Sequence, residues 1–151
     1  MIRKLFFLNF ILICFLINAQ PVYFSTYKQL ADSLGKAYQI PPCIILGVAF
    51  QESGGGKSQV AIHLNNHFGI KGNNAGIKDL KFKSKHKYFA TVLDCYIAFC
   101  NILSKKKYYE ELKGKDDIEK WLTAIAAGGY AGNNKAWKPK VLKVIQKFCK
   151  K

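Results

Sequence analysis

The sequence predicts a mainly α, single-domain fold with a small β or loop lobe inserted after the second helix. Three observations carry this. Apolar residues recur at helical spacing before residue 53 and after residue 90. Capping and breaking residues bracket those runs. Between them, residues 57–90 are rich in Gly, Asn and Lys and keep no sustained period. A chain of 151 residues supports one core and leaves little room for a second, and a half-hydrophobic composition excludes disorder.

The N-terminus reads as an export signal. Arg3 and Lys4 precede an apolar run over residues 5–17, too short for a comfortable membrane span, and Ala19 offers a small residue for cleavage. The expected division is a signal peptide at 1–19 and one domain at 20–151, in a secreted or periplasmic protein of the cell envelope. An uncleaved anchor is the other reading. Cys14 does not mark a lipoprotein, because bulky Leu12 and Ile13 precede it.

The first domain helix is expected over residues 26–38, with Tyr27, Leu30, Ala31, Leu34 and Tyr38 on one face. Pro41 and Pro42 open a second, strongly apolar helix. It carries Ile44, Ile45, Val48, Ala49 and Phe50, and stops at Ser53-Gly54-Gly55-Gly56. Residues 57–90 read as a short β-hairpin or loop lobe, with weak alternation over Leu80-Lys81-Phe82-Lys83. Thr91-Val92-Leu93-Asp94 fits a capping box ahead of Leu93, Tyr96, Ile97, Cys100 and Leu103. Asp116-Asp117-Ile118-Glu119 fits another, ahead of Trp121, Leu122, Ile125 and Ala126, with Gly128-Gly129 as the stop. Pro139 is expected to begin the last helix, which carries Val141, Leu142, Ile145 and Phe148.

The net charge of +15 favours acidic partners: nucleic acid, anionic lipid or an acidic cell wall. Loss of Arg3 and Lys4 with the signal would leave +15 − 2 = +13. Export makes nucleic acid an unsuitable partner and allows disulfides. Cys43, Cys95, Cys100 and Cys149 can pair in three ways, and the sequence leaves all three open. There is no CxxC, and the His residues are scattered at 63, 67 and 86, so neither a metal site nor a cofactor is expected. A monomer without stable membrane insertion after signal cleavage completes the expectation.

Glu52 is the carboxylate of interest. At the C-terminal end of an apolar helix, the macrodipole disfavours its charge by roughly 0.3–1 kcal/mol, and partial burial would do so further. Both effects raise its pKa, as a general acid near neutral pH requires. The glycine run after it allows close approach of another chain; the competing reading is a solvated helix-end Glu. Gly56-Lys57-Ser58 is not a phosphate loop, because Gln51 stands where the first glycine would be needed.

Gln51-Glu52-Ser53-Gly54-Gly55-Gly56-Lys57-Ser58, then Leu64-Asn65-Asn66-His67-Phe68-Gly69-Ile70-Lys71, resembles the signature of the glucosaminidase family of bacterial peptidoglycan hydrolases (glycoside hydrolase family 73). The likeness continues from Phe89 to Tyr96 and through Gly128-Gly129-Tyr130-Ala131. It implies a lysozyme-like fold and endo-acting cleavage of the β-1,4 bond after N-acetylglucosamine in peptidoglycan glycan strands. Glu52 matches the family's general acid, and Tyr130 matches a cleft tyrosine that would place the acetamido group or a water. Asn66 and Phe68 match residues shaping the cleft floor; turn chemistry and core packing are their other readings. Trp137 would stack on a sugar or cover the core. Lys71, with Lys78, Lys81, Lys83, Lys85 and Lys87, would face acidic stem peptides or wall polymers.

Two departures stand out. Gly55 occupies a position where the family usually has Trp, and the lobe lacks the Glu that many relatives carry as a second catalytic carboxylate. Asp79 is the acid left in it; Asp94 has a capping role. Without a second carboxylate, the substrate's acetamido oxygen or a water held by Tyr130 would have to attack. A non-catalytic wall-binding protein, a muramidase or lytic transglycosylase, and a cationic membrane-active protein are the competing functions.

Overall fold

The computed structural model describes residues 22–149 except 76, 78, 79, 81, 133 and 134. The expected signal peptide and Asp79 therefore lie outside the described residues, as do Lys78 and Lys81. The described residues form α1 (Val22–Tyr38), α2 (Pro42–Ser53), α3 (Gln59–Leu64), α4 (Val92–Ser104), α5 (Tyr109–Leu112), α6 (Ile118–Ala127) and α7 (Trp137–Phe148). The mainly α, lysozyme-like fold class expected from the sequence is the one observed. Among the described residues no helix is long and apolar enough to cross a membrane.

Helix α2 is the centre of the molecule. Pro42 occupies its first turn, where a missing N–H costs nothing, and Gly54 closes it in the left-handed conformation at φ 60°. Every residue from 44 to 49 is buried, so the helix is apolar all round and must be enclosed. Helices α1, α6 and α7 pack against it. Gly47 allows the approach of α7, since a side chain there would run into Ile145.

A disulfide ties α2 to α7. Of the three possible pairings, the structure joins Cys43 to Cys149, linking the start of α2 to the end of α7 with 5.9 Å between Cα atoms. Cys95 and Cys100 are free and buried in α4. Beneath α1 lies a polar cluster: Tyr23 Oη is 2.7 Å from His67 Nδ1 and 2.9 Å from Tyr96 Oη. Burial lowers the His67 pKa to about 4 from 6.5.

Several boundaries differ from the sequence reading. Helix α1 begins at Val22, before the apolar period becomes regular. Residues 57–90 are not wholly loop or hairpin, because Ser58 accepts a hydrogen bond from the Ala61 N–H and starts α3. The box at Thr91 and Asp94 forms in both directions, but Leu93 beside it is 47% exposed, and Cys95 and Phe99 are buried instead. Asp117, not Asp116, caps α6, accepting from the Lys120 N–H. Helix α7 starts at Trp137, two residues before Pro139, which therefore sits in the first turn where proline is tolerated. The four-residue α5 is too short to show a period in the sequence.

The expected hairpin is reduced to one antiparallel bridge, Lys71 with His86, and no strand forms among the described residues. Two backbone bonds flank that bridge, from the Gly72 N–H to the Lys85 carbonyl at 3.1 Å and from the Lys87 N–H to the Ile70 carbonyl at 2.8 Å, and asparagine side chains fasten the two arms further. Asn66 Nδ2 donates to the carbonyls of Ile70 (2.8 Å) and Lys87 (2.7 Å), and its Oδ1 accepts from the Ile70 N–H at 3.0 Å. Asn74 donates to the His86 carbonyl at 2.9 Å and accepts from the Tyr88 N–H at 2.8 Å. Such side-chain bonds compete with strand pairing and fix an irregular lobe.

Two stability predictions follow from these links. With cysteines 106 positions apart, replacing both Cys43 and Cys149 by Ser should lower unfolding free energy by about 2–5 kcal/mol, read by urea titration. Because the His67 pKa is depressed when folded, the unfolded chain takes up its proton first. Its contribution is complete above about pH 6.5 and is lost as pH falls toward about 4. Thermal melts across that window should show falling stability, with a flatter profile in His67→Gln.

Candidate active site

Glu52 lies in the last turn of α2 and faces a groove of about 680 Å³. The opposite side is built by Phe68, Gly69, Ile70 and Lys71 of the lobe and by His86. Gly129 and Tyr130, after α6, form the adjoining wall. Among the described residues lining this groove, Glu52 is the only carboxylate.

The carboxyl group is partly buried and held. Trp137 Nε1 donates to Glu52 Oε1 at 2.6 Å, joining the end of α2 to the start of α7. Burial raises the Glu52 pKa, and the Trp137 bond opposes that rise by favouring the charged form. The other oxygen, Oε2, is on the side of Gly69, where a Cβ would stand 3.6 Å from it. Gly69 has φ 64°, a conformation that side-chain-bearing residues seldom adopt, so glycine keeps this approach narrow-walled and open.

Tyr130 comes from the turn that ends α6. Its hydroxyl donates to the Phe68 carbonyl at 2.7 Å, which spans the two walls of the groove. With its hydrogen committed, the phenol oxygen is left as an acceptor. Burial, and next the charge of Glu52, hold the Tyr130 pKa well above its ordinary range, so it stays neutral. An aromatic wall supports it: Phe68 stacks on Phe99 at 4.1 Å, Phe99 meets Tyr130 edge-on at 5.5 Å, and Tyr130 lies 5.8 Å from Trp137.

Of the candidate residues of the sequence, Glu52, Phe68, Lys71 and Tyr130 line this groove, Asn66 and Trp137 lie behind it, and Asp79 is outside the described residues. Lys71 is exposed. Phe68 is 2% exposed and contributes its carbonyl to Tyr130. Asn66 is 1% exposed and fastens the lobe from behind. Trp137 is 4% exposed and reaches Glu52 through its indole N–H. Asp94 is engaged with Thr91 in the capping box. At Gly55, φ is 68°, and a Cβ would stand 3.0 Å from the Phe50 ring, so Phe50 already occupies the space beside it. Sequence reasoning did not single out His86, whose Nδ1 lies 2.9 Å from Ser84 Oγ, nor the bond between Trp137 and Glu52. Contacts across 85 positions leave no periodic signal.

The chain that carries this groove has relatives. The sequence pattern described as "Glucosaminidase: Mannosyl-glycoprotein endo-beta-N-acetylglucosaminidase" matches residues 28–150. The chain belongs to the glucosaminidase family. Its enzyme class is accordingly that of a glycoside hydrolase, as the sequence led one to expect. The chain is 26% identical over 149 residues to the exo-glucosaminidase LytG of Bacillus subtilis, covering 87% of this chain and 52% of that protein. It thus spans about half the length of that relative. Its fold is similar to the catalytic domain of the autolysin Auto from Listeria monocytogenes, with TM-score 0.69 and 17% identity over 86% of this chain and 84% of that one. It is also similar to the glycoside hydrolase domain of FlgJ from Salmonella typhimurium, with TM-score 0.64 and 20% identity over 83% and 86% of the two chains.

A carboxyl whose pKa is raised on folding costs stability once it ionises. As pH rises above about 4.5 the unfolded chain loses this proton first, so stability falls until the raised folded value is passed. Glu52→Gln should therefore melt higher than the wild type at pH 7. That advantage should vanish below about pH 4 in paired thermal melts.

Proposed function

We propose that this glucosaminidase domain cleaves the β-1,4 bond after N-acetylglucosamine in peptidoglycan glycan strands, with Glu52 as the general acid. The observation that carries the reading is the carboxyl group itself: partly buried at the end of an apolar helix, raised in pKa, and facing a groove large enough for sugar rings. Glu52 gives its proton to the glycosidic oxygen as the bond from that oxygen to C1 breaks, and a water oxygen ends on C1 with its proton released. The family membership and the glucosaminidase activity of the LytG relative support the same chemistry.

Tyr130 can accept a hydrogen bond from the substrate's acetamido N–H or from a water, since its own hydrogen is taken by Phe68. It would in that way orient the group that attacks or stabilises C1. Asp79 remains the candidate second carboxylate; the acetamido oxygen is the alternative partner. Phe68 and Asn66 would shape the floor from below. Lys71, on the groove and exposed, would meet stem-peptide carboxylates, with Lys83, Lys85 and Lys87 adding positive charge to the same lobe. The wall location, and export through residues 1–19, belong to this proposal and fit the Cys43–Cys149 disulfide.

In a gel with embedded peptidoglycan the wild-type chain should clear the substrate, and Glu52→Gln should lose at least about 100-fold of the activity. Undiminished clearing by Glu52→Gln ends the assignment. Released fragments should carry reducing-end N-acetylglucosamine and include oligomers, as internal cleavage requires. Disaccharides alone would indicate exo action, while reducing-end or anhydro-muramic products would identify a muramidase or lytic transglycosylase. Pelleting with sacculi and no clearing at any pH would identify a wall-binding protein.

A further inference from the structure

We infer that Trp137 is a positioning residue that fixes which oxygen of Glu52 carries the acid proton. The inference rests on the reading of Glu52 as the acid. An indole N–H can only donate, so Oε1, 2.6 Å from Trp137 Nε1, must accept. In a neutral carboxyl group the carbonyl oxygen is the better acceptor and the hydroxyl is the donor. Oε1 is then the carbonyl oxygen, and the proton sits on Oε2, the oxygen beside Gly69 and the groove. Without the indole the carboxyl could turn and present either oxygen.

The bond also changes during the reaction. Before proton transfer it joins two neutral groups; afterwards the acceptor is a carboxylate and the bond is charge-assisted, which makes it stronger. Trp137 therefore stabilises the state after transfer more than the state before, the condition for lowering a barrier. It can hold this geometry because its ring is 4% exposed and packed near Tyr130. The same bond favours the charged form of Glu52 against burial.

Trp137→Phe keeps most of the ring and removes the donor. On soluble glycan fragments kcat should fall about 10- to 100-fold with KM held, and the limb of the pH profile that reports loss of the acid proton should move to higher pH. An unchanged kcat and an unmoved limb overturn the inference. A second measurement needs no variant. In the wild type the Trp137 indole N–H resonance should titrate with Glu52, while that of Trp121, bonded to the Lys115 carbonyl at 3.0 Å, stays fixed. A flat Trp137 resonance also overturns it. Full activity in Glu52→Gln is a different failure: it removes the acid assignment itself and leaves the indole titration intact.

Discussion

A helix that is greasy on every side but ends in a carboxyl group sets the terms for the rest of this molecule. Enclosing α2 requires α1, α6 and α7 to surround it, with Gly47 giving way to Ile145. That enclosure stops at Glu52, where the glycines after Ser53 turn the chain away. The carboxyl is consequently half withdrawn from water, and the fold spends some of its own stability to keep it there. An indole N–H from the next helix over is the partner that makes the position tolerable.

The groove wall opposite is held by a different device. A lobe so rich in Asn, Gly and Lys has too few apolar residues to pair as a sheet on a core of its own. A short stretch of backbone pairing around Lys71 and His86 is reinforced on either side by Asn66 and Asn74, whose side chains bond the backbone of the facing arm. The result brings Gly69 beside Glu52 and Lys71 to the rim without the regular pleat of a hairpin. Tyr130 then bridges from the α6 turn to the Phe68 carbonyl, so both walls are fastened to each other next to the acid.

Two buried titratable groups pull in opposite directions. His67 is buried neutral beneath α1 and resists protonation, which stabilises the fold toward neutral pH. Glu52 resists losing its proton, which works against the fold once pH rises past its ordinary pKa. The first is consistent with structure alone, since it lies among Tyr23, Tyr96 and Cys95. The second faces the groove, and the destabilisation it brings is of the kind that accompanies a functional group.

The sequence by itself determined the helical class, the central apolar helix with its proline start and glycine stop, the capping box at Thr91 and the special setting of Glu52. All of these depend on residues within a few positions of one another, where spacing and local hydrogen bonds decide the outcome. It also determined the family through three short blocks of residues. Only the tertiary structure decided that Cys43 pairs with Cys149, that Asn66 and Asn74 fasten the arms of the lobe and that Trp137 reaches Glu52. Each of these is a choice among partners, most of them far apart along the chain, and such choices are made by how the helices close around α2. No period in the sequence encodes a meeting between a residue at the end of one helix and one at the start of another.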